Sequence, residues 1–211
     1  MLLTPELTTS LFTRSTGDYV FARWGRPIVP VIFGVTDETL PTIKGAIEAI
    51  VAIAGHKMAE TDPELGANFM VFFFSDWDEL LAVPSMDQMI PDLAGTVARL
   101  KSADAGQYRA FRFDDNGAIQ ACFSFVRMNE AQADLPAEVI ALGVAVHGVL
   151  LWSDTAFADV SALAELPDNA GTIVRPEIAN VIRAAYEPVL PASDRDPAHA
   201  LRLYARAVHA A

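Results

Sequence analysis

The chain is short of thiols, of positive charge and of long apolar runs. Cys122 is its only cysteine, which excludes an internal disulfide and any multi-cysteine zinc site. That residue falls in a stretch of strand character, where a buried, inert thiol is expected. Lys and Arg number 15 against 27 Asp and Glu, a formal charge of -12. Such a field repels a phosphate backbone, so nucleic acid is not an expected partner, and the acidic surface reads as a solubility device. A bilayer-spanning helix needs about 20 consecutive apolar residues. The longest run here, Val139 to Trp152, is shorter and has His147 inside it, so the chain reads as soluble, with no membrane partner. Its opening, MLLTPELTTSLFTR, lacks the basic start and apolar stretch of an export signal. The expected compartment is the cytoplasm as the chain is written, or the periplasm if a leader was trimmed. There is no GxGxxG, Walker loop or GxSxG, and nucleotide binding and α/β-hydrolase chemistry have no motif to rest on.

With 211 residues, 52% of them hydrophobic, the chain suffices for one domain with a real core. PIVPVIFGV (27–35) has the β-branched content of a strand, and Pro30 places it at an edge or a bulge. Thr36, Asp37 and Thr39 are candidate caps for a helix in which Ile43, Ala46, Ile47, Ile50, Val51 and Ala54 recur on one face, with Gly55 as its stop. NFMVFFFS (68–75) is apolar throughout, as a central strand covered on both sides should be. Ser75 and Asp78 open WDELLAV in the manner of a capping box, and residues 86–101 carry a weaker helical pattern. Two alternating runs then meet at Asn116-Gly117, a hairpin signature. The acidic residues before that glycine lack the spaced oxygen ligands of a calcium loop.

Asp134 as cap and Pro136 in the first turn announce a helix to Trp152 that is apolar on every side and belongs at the centre of the domain. A looser region follows, then a helix near Pro176–Tyr186, a Pro-rich break and a terminal helix from Ala198. The order predicts an α+β domain over residues 1–190: a mixed sheet with packed helices, a central buried helix at about 136–152, and a helical C-terminal tail, 191–211, packed on it.

RWGRPIVPVIFGV, ANFMVFFFSD, the buried helix ending in WSD, and the tail AAYEPVLPASDRDPAHALRLYAR resemble a bacterial family of uncharacterised proteins with a metzincin-like, that is zinc peptidase-like, fold. The parent fold carries His-Glu-x-x-His-x-x-Gly-x-x-His on the buried helix. Two histidines one turn apart grip the metal, the glutamate activates water, and the glycine lets a third histidine close the site. With His147 as the middle histidine, the other positions are Gly143, Val144, Leu150 and Ser153. With His147 as the third, Glu138 falls on the glutamate position, but Ala137 and Ala141 replace both histidines and Val144 the glycine. Either alignment keeps one imidazole, whereas a catalytic zinc needs about three protein ligands. No metal or other cofactor is therefore expected. His56, His199 and His209 are distant in sequence, and nothing in their spacing brings them together.

His147 reads first as a neutral core imidazole bonded to a carbonyl or carboxylate. The candidates for acid–base work beside it are Glu138 and Asp154, with Ser153 disfavoured because six residues on a regular helix put the two on different faces. Trp24, Trp77 and Trp152 are expected as anchors whose indole N–H groups need partners, and Met86 and Met89 as packing. Arg175, Arg183, Arg195, Arg202 and Arg206 make the tail locally basic. Three functions are consistent with this: a non-catalytic metzincin-like domain binding a peptide or protein, or serving structure; a hydrolase using His147 with a carboxylate; and an interaction module that self-associates.

Overall fold

A computed structural model describes residues 2–209, apart from the side chains of Ala131 and Asn169; residues 210–211 of the expected tail lie outside the described residues. In chain order the elements are α1 Pro5–Ser10, β1 Phe21–Ala22, β2 Pro30–Phe33, α2 Leu40–Ile53, β3 Phe69–Phe74, α3 Glu79–Ala82, α4 Met86–Met89, α5 Leu93–Ser102, β4 Gln107–Phe113, β5 Ile119–Arg127, α6 Glu130–Ala133, α7 Ala137–Val149, β6 Leu163–Glu165, β7 Thr172–Val174, α8 Pro176–Ala185, β8 Ser193–Asp194 and α9 Ala198–His209. None of these helices is long and apolar enough to cross a membrane. The chain is α+β, as its pattern of elements predicts.

The principal sheet runs β2-β3-β5-β4. Its first three strands are parallel, and β4 is antiparallel to β5. Pro30 opens β2 at one edge of the sheet, where its missing N–H leaves no ladder bond unmade. β3 is covered on both faces. Phe69 and Val71 enter the main core with residues of α2, α7 and α8, while Phe74 joins Trp77, Leu80, Met86 and Val97 in a second core beneath the short helices. Asn68 ties β2 to β3: its Oδ1 accepts the Val29 N–H at 2.8 Å, and its Nδ2 donates to Pro27 O at 2.9 Å and to Asp62 Oδ2 at 3.0 Å.

The hairpin is present, but its turn is looser than a two-residue type I′ turn. Of its tip residues only Gly117 has positive φ, at 77°. Asp114 donates its N–H to Ala118 O, and its Oδ1 accepts from Asn116 and Ala118. An aspartate that satisfies the turn's own backbone replaces the second left-handed residue. The 86–101 pattern divides into α4 and α5 at Pro91, with Asp92 (φ 50°) accepting the Gly95 N–H to restart the helix. Asp134 does not cap the buried helix; it ends α6, while Pro136, which has no side-chain donor or acceptor, occupies the N-cap. Glu79 closes one half of the expected capping box by accepting from the Ser75 and Asp76 N–H groups.

The buried helix stops at Val149, three residues before Trp152. Leu150 turns extended and bridges Arg23, and the Leu151 N–H donates to Ala22 O. Leaving the helix satisfies backbone groups of the segment before β2. Trp152 folds back so that its indole donates to Val146 O at 2.8 Å. Trp24 donates to Gly148 O and Trp77 to Ala105 O, so every indole has the partner it needs. The tail is continuous with the main core: Ala200, Leu203 and Ala207 of α9 belong to it, and β8 pairs with β1.

Gly148 marks a close approach of α7 to the sheet. A Cβ there would lie 2.3 Å from the Phe69 ring, itself 1% exposed, whereas a Cβ at Gly143 meets nothing within 4 Å. The two glycines of one helix should respond oppositely to alanine. Urea unfolding of G148A should show a loss of about 1–3 kcal/mol from overpacking, and G143A a gain of about 0.5–1 kcal/mol from helix propensity.

Candidate functional site

A cleft of about 500 Å³ lies between β4 and the end of α7; its lining includes Arg14, Arg109, Phe111, His147, Trp152 and Asp154. β4 is the last strand of its sheet. The backbone pattern fixes which of its groups point outward. Cys122 on β5 donates its N–H to Asn68 O, toward β3. Its register partner Phe111, and Arg109 opposite Ser124, therefore form non-hydrogen-bonded pairs with β5 and direct their own N–H and C=O away from the sheet. Among the described residues no backbone group takes these up. The same alternation sends the Arg109 and Phe111 side chains to the α7 face of the sheet.

On the opposite wall, His147 and Trp152 are backed by an aromatic cluster. Phe12 stacks on Trp152 at 5.3 Å, Trp152 meets Phe157 edge-on at 5.1 Å, and Phe157 meets the His147 ring at 5.0 Å and 86°. Gly148 fixes the backbone beside His147, so the imidazole is placed by the packing of α7 on Phe69. Burial, and after it the nearby Arg109 guanidinium, lower the His147 pKa to about 3. Half-buried at the cleft wall, the ring is held neutral at ordinary pH. The expected carbonyl or carboxylate partner is missing among the described residues.

Among the described residues, neither carboxylate proposed from sequence bonds His147. Asp154 shares the cleft, but it accepts the Ser15 N–H at 2.9 Å and the Ser15 hydroxyl, and these bonds hold its carboxyl below the usual range. Ser153 is outside the helix, so the argument from helix faces does not apply to it; its hydroxyl donates to Thr13 O at 2.6 Å. Glu138 is exposed in the first turn of α7, nine residues and roughly 13 Å along the axis from His147. The other histidines have separate partners: His56 Nε2 bonds Arg26 O at 2.8 Å, and His199 Nδ1 pairs with the Tyr19 hydroxyl at 2.8 Å. No group of three or more His, Cys, Asp and Glu among the described residues could hold a metal ion. The donor set of the cleft, one imidazole and one carboxylate engaged with Ser15, does not fit the zinc that the metzincin resemblance implies.

Sequence reasoning missed Arg109. Its signal was a charged residue inside an alternating strand, ordinarily the solvent side of a hairpin. Here it is partly buried, its guanidinium donating to Gln107 Oε1 at 3.0 Å. Desolvation lowers its pKa. Cys122, across the sheet, is wholly buried, and desolvation raises its thiol to about 12. The tail arginines are largely engaged: Arg202 with Asp194 at 3.0 Å, Arg206 with Glu187, and Arg175 with Ser161 O at 2.8 Å. Comparison with protein-family models, curated proteins and solved structures gives no match.

The folded-state pKa of His147 lies below its unfolded value of about 6.5. Below that pH the unfolded chain takes up a proton that the folded chain refuses, so this residue's contribution to stability declines from about pH 6.5 toward pH 3. Thermal midpoints of wild type and H147Q should therefore shift in favour of the variant as the pH falls from 7 to 4; a constant difference would mean that the folded imidazole titrates normally.

Proposed function

We propose that this chain is a non-catalytic domain on a metzincin-like scaffold whose cleft binds an extended segment of a peptide or protein. The observation that carries the reading is the edge of β4, where Arg109 and Phe111 present backbone donors and acceptors that no other backbone group takes among the described residues, the Phe111 carbonyl accepting only from the Arg112 side chain, beside a cleft walled by Trp152 and His147. An added strand would complete the ladder, with main-chain bonds supplying affinity and alternate side chains specificity. The mixed order of the sheet, with its antiparallel edge strand and a buried helix behind it, is compatible with the scaffold.

A hydrolase built on His147 has less support. A general base needs an orienting partner within about 2.6–3.2 Å, while Asp154 is bonded to Ser15 and Glu138 lies at the other end of α7. Self-association through the basic tail is disfavoured because Arg202 and Arg206 already face Asp194 and Glu187.

Panning a random-peptide display library against the purified chain tests the reading. Enriched peptides should bind saturably and shift the amide resonances of Arg109 and Phe111. N-methylation at alternate peptide positions should weaken binding at least tenfold, since it removes ladder donors on one side only. Binders that leave the β4 amides unmoved, or a library with no saturable binder, would refute the proposal.

A further inference from the structure

The cleft has a charge that the rest of the chain lacks. Across the molecule acids outnumber bases, 27 to 15, yet Arg14 and Arg109 line this cleft and its carboxylate, Asp154, is taken by the Ser15 N–H and hydroxyl. Among the described residues neither arginine has a carboxylate within ion-pair distance, although eight such pairs occur elsewhere. Arg112, also at the cleft, is occupied: it donates to Phe111 O and Met89 O and lies over the Phe123 ring at 5.9 Å. Arg109 is different. Of its five N–H donors, the bond to Gln107 uses one. Ser124, directly across the strand pair, has a fully buried hydroxyl with no hydrogen-bond partner. A partly desolvated guanidinium with free donors beside a neutral imidazole is an arrangement that a carboxylate completes.

From this we infer that the occupant of the cleft is an acidic peptide strand, with an Asp or Glu directly across β4 from Arg109. The inference rests on the strand-binding reading and gives it a sequence rule. Residues opposite one another on paired strands have Cβ atoms about 4.5–5.5 Å apart, within reach of a carboxylate–guanidinium pair. Residues two places along the same face pair with the next β4 side chains on that face, Phe111 and Phe113. Those rings stack at 6.4 Å, and Phe113 is 43% exposed. The partner at the Phe111 position is therefore apolar or aromatic, which gives an acidic residue and an apolar one spaced by two. The net negative field of the protein does not forbid this, because its surface charges are screened over about 8–10 Å at physiological salt, while Arg14 and Arg109 act at contact.

The panned peptide pool tests the rule. Sequencing should show Asp or Glu enriched about tenfold over the naive library at one position, with an apolar residue two places away. Binding of a selected peptide should move the Arg109 side-chain Nε–Hε resonance. Replacing its acidic residue with the amide analogue (Glu to Gln, Asp to Asn) should weaken binding at least tenfold in wild type and less than threefold in R109Q; R109K, which keeps the charge without the fork, should fall between. Circular dichroism of R109Q checks its fold, and the resonance shift in the unmodified protein does not depend on that variant. Binders that engage β4 without acidic enrichment or a shift at Arg109 would overturn this inference and leave the strand-binding reading standing. No β4 binders at all would remove that reading itself. Inorganic phosphate and glutarate, titrated separately, are expected to move the Arg109 resonance weakly at millimolar concentration; if either binds as tightly as the peptide, the pocket is a small-anion site and the sequence rule fails.

Discussion

The structure depends on a helix with no polar face. α7 is buried from Ile140 through Val149 with few interruptions, and nothing about its surface tells one neighbour from another. Its orientation comes instead from shape and from hydrogen bonds at one end. Gly148 admits the Phe69 ring to a position that any side chain would occupy, and the Trp24 indole donates to the carbonyl of that glycine at 2.9 Å. The C-terminal end of the helix is thereby seated against the sheet with the ring of His147 at the cleft. The extended exit at Leu150 and Leu151 carries Trp152 to the opposite wall. One close contact in the core thus locates both sides of the cleft.

Much of this was legible in the sequence wherever a physical signal was local. The apolar string of β3, the edge position implied by Pro30, the one-sided helix α2 and its stop at Gly55 follow from periodicity and backbone preference. The Gly55 φ of 61° is the value that a left-handed C-terminal residue requires. Ends and caps were less legible. The helix ends at Val149 because Arg23 and Ala22, more than 120 positions earlier, offer backbone partners, and no run of apolar residues contains that information. The β6–β7 ribbon in the looser region was missed because each of its strands is three residues long, too short for alternation to be recognised.

The candidate site was only half visible. His147 and Asp154 do share a cleft, but proximity without a hydrogen bond makes neither an acid–base pair nor a ligand set. Their environments differ. Desolvation keeps the imidazole neutral, and Ser15, from a loop near the N-terminus, keeps the carboxylate charged. Arg109 escaped notice because its importance comes from what does not surround it. An arginine on a strand is unremarkable until the sheet order makes that strand terminal, the parity of its bonds turns its side chain toward the helix, and Asp154, the acid that shares its cleft, proves to be bonded to Ser15 instead.

The unoccupied margin of β4 also bears on how the protein behaves when crowded. Exposed sheet edges invite like chains to join them, and inward-pointing charge is a common safeguard. Joining two copies along this margin would bring together two Arg109 guanidinium groups that have no ion pair of their own among the described residues, and their mutual repulsion opposes the pairing. At the opposite margin Pro30 withholds a donor. Arg109 is thus placed as a gatekeeper against fibre-like stacking of the protein on itself.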